Sequence, residues 1–214
     1  MISSARRRPR GAEIPSETMK PALKAALYAV AMVLVALPAA VELLARKVAG
    51  RDVFFYTHSQ ILSLVPGKIG WYLRNAYYRL TLQRCPLGIC IDFGVLFTHS
   101  EAELGQRVYI GARSTIGMAS IGDDTLLADG VQLLSGKHQH ATADPERPFQ
   151  EQESHAEKIH IGRNCWIGTN AIVMADIGPD SIIGAGAVVT HAIPEGTVAV
   201  GSPARPIRST FAKA

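Results

Sequence analysis

Histidine is concentrated in one polar segment of this 214-residue chain. Four of the seven histidines lie in or beside residues 135–159, at His138, His140, His155 and His160. An imidazole titrates close to neutral pH, so a positioned histidine can take a proton from a reacting hydroxyl group. Three clustered histidines could instead bind a zinc-type ion. The segment is therefore the leading candidate for an active site, with a general base and a metal site as the two alternatives.

The segment interrupts a repeat in which a large aliphatic residue followed by glycine recurs every six residues. The repeat comprises Leu104-Gly105, Ile110-Gly111, Ile116-Gly117, Ile161-Gly162, Ile167-Gly168, Ile177-Gly178 and Ile183-Gly184. A period of six fits neither a helix nor a flat strand, and it is typical of a solenoid that bends after each short strand. Residues 86–209 are therefore predicted to form a mainly β domain, a parallel β-helix, with 135–159 as a projecting loop.

Two steps in the repeat are short. Ile116 is followed by Ile121, a step of five residues, and Val173 is followed by Ile177, a step of four. We expect one face of the coil to be trimmed at each place.

Four segments together resemble the hexapeptide-repeat acyltransferases, a left-handed β-helix family that includes sugar O-acetyltransferases. They are HQH at 138–140, NCWIGTNAIV at 164–173, IIGAGAVVT at 182–190 and VAVGSPARPI at 198–207. The resemblance implies a left-handed coil, a homotrimer, and acetyl-CoA as acyl donor in a groove between neighbouring solenoids, with no metal. The family's loop histidine, a general base, falls on His138, and His140 is the rival.

The resemblance also implies cofactor-binding positions along the coils. An aromatic residue near the thioester corresponds to Trp166, and small residues leave room for a slender pantetheine arm. Arg205, together with Arg208, could pair with the cofactor phosphates. The predicted cofactor-binding residues are Trp166, Gly168, Ala185, Gly186 and Arg205.

An imidazole base works best when a carboxylate or carbonyl holds its second nitrogen. Glu157 and Asp144 lie in the loop, and Asp92 precedes the first coils. We include Glu157 among the catalytic candidates. Asp92 could orient the histidine or line the acceptor pocket, and we predict the second role.

An apolar run from Ala25 to Val41 precedes the repeat and predicts a helix that is slightly short for crossing a membrane. Basic residues flank it on both sides, so charge does not select an orientation. A secretory signal peptide is the alternative. We expect a membrane-embedded or re-entrant anchor over residues 20–49, on the cytoplasmic side of the cell membrane.

Residues 1–19 are predicted to be a disordered basic tail, either simply solvated or in contact with anionic lipid.

Residues 20–85 as a whole are predicted to be helical. Within them, Gln60 to Leu82 reads as an amphipathic helix with Lys68, Arg74 and Arg79 on its wetter side. It could cap the open end of the solenoid, or lie in the membrane interface with Trp71 and the tyrosines as anchors.

Composition bounds the function. The formal charge is +4, and the arginines near the N-terminus lack the aromatic or glycine-rich pattern of a nucleic-acid binder. The three cysteines have no metal-like spacing and fit buried positions in a reducing compartment. We expect an acetyl-CoA-dependent O-acyltransferase acting on a free or lipid-linked saccharide in cell-envelope or exopolysaccharide biosynthesis. A metal-dependent hydratase or hydrolase and a non-catalytic scaffold are the alternatives.

Overall fold

The computed structural model describes residues 20–136, 144–153 and 155–211. Three helices come first, and short strands then follow one another to the end of the described chain. The helices are α1 (Pro21–Ala49), α2 (Phe55–Ser63) and α3 (Gly67–Thr81). The strands before the inserted loop are β1 (Cys90–Ile91), β2 (Leu96–Phe97), β3 (Glu103–Leu104), β4 (Tyr109–Ile110), β5 (Thr115–Ile116), β6 (Ala119–Ile121), β7 (Leu126–Leu127) and β8 (Gln132–Leu133). Those after it are β9 (Ile159–Ile161), β10 (Trp166–Ile167), β11 (Ile172–Val173), β12 (Ile182–Ile183), β13 (Val188–Val189), β14 (Thr197–Val200) and β15 (Arg205–Ser209).

Successive strands join three sheets in turn, which makes the strand region a three-sided solenoid. Sheet 1 has the order β1-β4-β7-β10-β12-β14-β15, sheet 2 has β13-β11-β8-β5-β2, and sheet 3 has β3-β6-β9. All pairings are parallel except that of β15, which returns antiparallel to β14. The mainly β, parallel repeat predicted from the sequence is therefore present.

The repeated aliphatic residues form the core of the solenoid. Ile110, Leu127, Ile167 and Ile183 stack in register in sheet 1 and are at most 1% exposed. Burying each such side chain contributes roughly 1.5–3 kcal/mol. The glycine that follows is needed for close contact between coils, because a Cβ added at Gly168 would lie only 2.5 Å from the backbone nitrogen of the residue stacked on it.

Three corners join the sheets. The first corner lies between sheets 1 and 2, the second between sheets 2 and 3, and the third between sheets 3 and 1. The inserted loop leaves β8 and returns to β9, so it interrupts the second corner. The two short steps in the repeat, after Ile116 and after Val173, fall at the same corner. The shortening therefore affects a turn and leaves the paired strands intact.

The helices close the solenoid at its N-terminal end. Within α3, the guanidinium of Arg74 donates to the carbonyls of Ile91 (3.0 Å) and Val65 (2.7 Å), and the Asn75 amide donates to the carbonyl of Ile89 (2.7 Å). The bonds to Ile91 and Ile89 satisfy backbone acceptors at and beside the first strand, whose edge would otherwise be exposed.

One expectation and one alternative for this region are wrong. Arg74 is 1% exposed rather than solvated, because its side chain turns inward to the carbonyls it caps. Trp71 and the α3 tyrosines are also buried, at 0–5% exposure, so they are not available as interface anchors. Both differences arise because α3 is covered on one side by the first coil and on another by α1.

Helix α1 is long and apolar enough to cross a membrane by length and composition alone. One stripe of it is buried, at Tyr28, Ala31, Val35, Ala39 and Glu42. Spacings of three and four residues place these side chains on one helical face, which packs against α3.

Candidate active site

The inserted loop begins and ends in a closely paired stem at the second corner. The backbone amide of Glu157 donates to the carbonyl of Ser135 at 2.9 Å. Gly136 has a φ of +81°, and a Cβ added there would lie 3.2 Å from Oε2 of Glu157. The exposed Glu157 carboxylate therefore lies beside Gly136, two residues before His138. His138 and His140 themselves lie outside the described residues.

The exit of the loop is tied to the rest of the solenoid by Lys158. Its ammonium donates to Glu103 Oε1 at 2.7 Å and to Gln83 Oε1 at 2.8 Å. Both charged side chains of the ion pair are partly buried, at 22% and 30% exposure, so the pair is more shielded than an open surface pair. This contact fixes the start of strand β9, which follows Glu157 in the chain.

A second group of bonds orders the described part of the loop. Gln152 is buried, and its amide donates to the carbonyls of Asp144 and Arg147, both at 2.9 Å. The Asp144 carboxylate accepts a bond from the amide of Glu146 at 3.0 Å, within its own turn. Of the two loop carboxylates that the sequence offers as partners of the histidine, Asp144 bonds within its own turn, whereas Glu157 lies beside the stem.

Below the stem, the second corner of the next two coils forms a cleft of about 300 Å³. His191, which no sequence motif marks, lies in this cleft, with its Nδ1 2.9 Å from Thr190 Oγ1. Stacking explains its position, because it occupies the corner two coils beyond the loop. The cleft is lined by Glu157, Lys158, Ile159, Met174, Ala175, Asp176, Thr190, His191 and Ala192.

The predicted cofactor-binding residues gather instead along the first corner and the adjoining edge of sheet 1. Trp166 is 54% exposed on the outer side of β10. Gly168 is buried directly beneath Ala185, while Ala185 and Gly186 are exposed at the turn of the next coil. We call this surface, from Trp166 to Gly186, the first-corner ridge.

Arg205 extends the first-corner ridge into the last coil. It lies exposed on β15 opposite Val200, and Val200 lies over Gly184, where an added Cβ would be 2.8 Å from Val200 Cγ1. Arg208 lies on the same strand.

Within one chain, the structure does not bring all the predicted site residues together. The loop stem with Glu157 is at the second corner, whereas the first-corner ridge is separated from it by sheet 2. Asp92 is also at the first corner, but in the first coil, two coils before the loop. Its carboxylate accepts a bond from the amide of Phe93 at 2.6 Å. The loop stem, the first-corner ridge and Asp92 therefore do not meet at one corner of a single solenoid.

The cysteines do not supply a nucleophile. Cys85, Cys90 and Cys165 are buried and unpaired, and burial raises the pKa of the Cys85 and Cys90 thiols to about 12. A thiol with so high a pKa carries little thiolate near neutral pH. In the part of the chain that the structure describes, no group of three histidine, cysteine, aspartate or glutamate side chains is placed to hold a metal ion.

The repeat and the fold define a class of protein. Residues 158–191 match the family model of the bacterial transferase hexapeptide (six repeats), and residues 102–134 match that of the hexapeptide repeat of succinyl-transferase. An acetyltransferase-family protein of Saccharomyces cerevisiae is 33% identical over 138 residues, which cover 59% of this chain and 68% of that protein. The chain belongs to the hexapeptide-repeat transferase family.

Two further proteins are similar to parts of the chain. The galactoside O-acetyltransferase of Escherichia coli is 35% identical over 115 residues, covering 51% of this chain and 54% of that protein. A solved maltose O-acetyltransferase of Clostridium difficile has the same fold, with a TM-score of 0.63 and 24% identity over 72% of this chain and 86% of that one. The chain spans 53–68% of the length of four of the curated relatives it matches, and 20–36% of the length of four others.

Proposed function

We propose that this protein transfers an acetyl group from acetyl-CoA to a hydroxyl group of a saccharide. The observation that carries the proposal is the inserted loop at one corner of a hexapeptide solenoid, whose stem brings Glu157 beside Gly136, two residues before His138 in the sequence. Membership of the transferase family and a relative named as a galactoside O-acetyltransferase support it.

The chemistry needs one base and no covalent enzyme intermediate. His138 takes the proton of the acceptor hydroxyl as its oxygen attacks the thioester carbonyl. The carbon–sulfur bond then breaks, the acetyl group stays on the acceptor oxygen, and the coenzyme A sulfur receives a proton. Glu157 holds the second imidazole nitrogen and stabilises the imidazolium. His140 is the alternative base.

The separation of the loop from the first-corner ridge supports a site shared between copies. In the proposed arrangement, left-handed solenoids associate as a homotrimer, and acetyl-CoA lies between the loop of one copy and the first-corner ridge of its neighbour. Trp166 contacts the thioester end, the backbone at Ala185 and Gly186 contacts the pantetheine arm, and Arg205 pairs with phosphate. Asp92 lines the acceptor pocket.

The acceptor class follows from the helical region. An apolar α1 that remains largely exposed is suited to a membrane surface. We infer that residues 20–49 hold the enzyme at the cytoplasmic side of the cell membrane, where it acetylates precursors of cell-envelope or extracellular polysaccharide.

The test is acetyl-CoA-dependent transfer to a panel of sugars and lipid-linked saccharides, followed by mass spectrometry. We expect a gain of one acetyl group with the wild-type protein. His138→Ala should lower the rate by about 100-fold to 10,000-fold, the usual contribution of a general base, and should leave the fold intact by circular dichroism. His140→Ala is the matched control. Transfer that survives in His138→Ala and fails in His140→Ala would move the base to His140, and no transfer to any acceptor would contradict the proposal.

A further inference from the structure

The outer surface of α1 is apolar almost all round. Besides its buried stripe, it exposes large side chains along its whole length, and only 28% of its most apolar window is covered by protein. A soluble core helix would be mostly covered, so this one lacks a partner over most of its surface. The exposed large apolar residues are Leu23, Leu27, Val30, Val33, Leu34, Leu37, Val41, Leu43, Leu44 and Val48.

This apolar surface continues onto α3. A groove of about 200 Å³ between the two helices is lined by Leu27, Val30, Leu34, Lys68 and Ile69 among others. Ile69 itself is 71% exposed. Helices α1 and α3 therefore share one exposed apolar surface, which we call the cap face.

Both ends of α1 lie near the segment that leads into the first coil, and the C-terminal end is bonded to it. Near the C-terminal end, Arg46 donates to the carbonyl of Thr81 at 3.1 Å and pairs with the buried Glu42, which also accepts a 2.6 Å bond from the amide of Phe54. Near the N-terminal end, a Cβ added at Gly88 would lie 3.7 Å from Nζ of Lys24. Helix α1 thus lies flat across the end of the solenoid. It could not cross a bilayer without drawing the first coil into it.

The charge of the chain is divided between the helices and the solenoid. Residues 20–81 contain eight basic and two acidic residues, a formal charge of +6. The two acids are Glu42 and Asp52, and both pair with Arg46. Residues 90–211 contain eight basic and fourteen acidic residues, a formal charge of −6. An anionic surface would attract the helical end and repel the solenoid.

We propose that the cap face docks on an anionic lipid bilayer with α1 lying in the plane of the interface, so that the solenoid stands away from the membrane. Exposed basic residues such as Lys47, Arg51 and Lys68 then lie at headgroup level. The inserted loop leaves the third coil, and with strand spacings near 4.8 Å and helix layers of 8–10 Å it lies on the order of 20 Å above the membrane. At this distance from the membrane, the loop would meet the sugar of a lipid-linked saccharide, which is the acceptor we propose. This part of the inference rests on the proposed acetyl transfer.

Vesicle flotation tests the docking. We expect wild-type protein to float with vesicles of phosphatidylcholine containing phosphatidylglycerol, and to float less with phosphatidylcholine alone or at high salt. Ile69→Glu should reduce binding about tenfold or more, since it removes an apolar side chain from the interface. Ile207→Glu, at an exposed isoleucine on β15, is the matched control and should float like wild type. Equal loss in both variants, or no flotation of wild type, would overturn the proposal. If wild type does not bind vesicles and Ile69→Glu disrupts its oligomer, the cap face instead contacts a second copy of the chain.

Cysteine labelling distinguishes an in-plane helix from a spanning one. Leu23→Cys and Val48→Cys place exposed thiols near the two ends of α1, and Leu37→Cys places one near its middle. On preformed vesicles, a membrane-impermeant maleimide should label all three thiols more slowly than without vesicles, because the three positions lie on one face of α1 and an in-plane helix holds them at a similar depth. Wild type is the blank, because its own cysteines are buried. Protection of the middle and one end, with the other end labelled as fast as without vesicles, would show that α1 spans, and the in-plane arrangement would then be wrong.

Activity separates the two proposals. Ile69→Glu should acetylate a soluble saccharide at the wild-type rate and a lipid-linked saccharide in vesicles more slowly. If neither acceptor is acetylated by wild type while flotation follows the expected pattern, the docking stands and the transferase proposal fails. If Ile69→Glu and wild type acetylate the lipid-linked acceptor equally, the cap face does not present that substrate.

Discussion

At the scale of single residues, the loop carboxylates differ in what they contact. The carboxylate of Asp144 bonds the backbone of its own turn, whereas that of Glu157 lies beside Gly136 in the stem. From sequence alone, both are candidates for orienting the histidine because both are acidic residues of the loop. Only the pairing of Ser135 with Glu157, which joins residues on either side of the insertion, distinguishes them. A long loop brings its ends together without a sequence pattern that marks which residues meet.

Glu157→Gln should therefore lower kcat with little change in the KM for acetyl-CoA. A hydrogen bond to a charged group contributes about 1.5–3 kcal/mol, so the loss of the charged partner of His138 should reduce kcat roughly 10-fold to 100-fold. Glu153→Gln, at a loop glutamate whose side chain is 86% exposed, is the control and should retain wild-type kcat. Steady-state kinetics of both variants measures the effect. A raised KM for acetyl-CoA at constant kcat would instead place Glu157 in the cofactor site.

At the scale of elements, the repeat was predictable and the contacts of the cap were not. In every aliphatic-glycine pair of the repeat, the aliphatic side chain points into the core and the glycine lets neighbouring coils approach closely. The six-residue spacing is therefore enough to predict the solenoid. Arg74 shows the limit, because helical spacing alone put it on the wet side of α3. Its burial depends on unpaired carbonyls at Ile91 and Val65, which belong to other elements. His191 was missed for a related reason, since stacking of coils determines its neighbours.

Two small residues of the first-corner ridge should respond differently to enlargement. Gly168→Ala should lower the free energy of unfolding by about 1–3 kcal/mol, because the added Cβ would collide with the backbone of Ala185 and overpack the coil contact. Ala185→Val changes an exposed turn and should instead raise the KM for acetyl-CoA. Urea unfolding and kinetics on both variants provide the comparison. If Gly168→Ala kept its stability and only raised KM, its main role would be in the cofactor site.

At the scale of the whole molecule, the placement of the loop and the first-corner ridge on different corners predicts complementation between copies. His138→Ala removes the base and keeps the ridge. Ala185→Trp keeps the base and obstructs the ridge at an exposed position that the fold tolerates. If each site uses the loop of one copy and the ridge of its neighbour, mixed oligomers contain some sites in which both parts are wild type.

Refolding the two variants together at equal amounts should therefore restore activity to about one quarter of the wild-type value, as random placement around a closed ring gives. Each variant refolded alone should stay inactive, and size-exclusion chromatography should show that the mixture assembles like wild type. A mixture with no more activity than its components would locate the base and the cofactor in one copy. Acetyl-CoA would then have to extend across sheet 2, and the cofactor positions would need to be sought in the second-corner cleft around Thr190 and His191 rather than along the first-corner ridge.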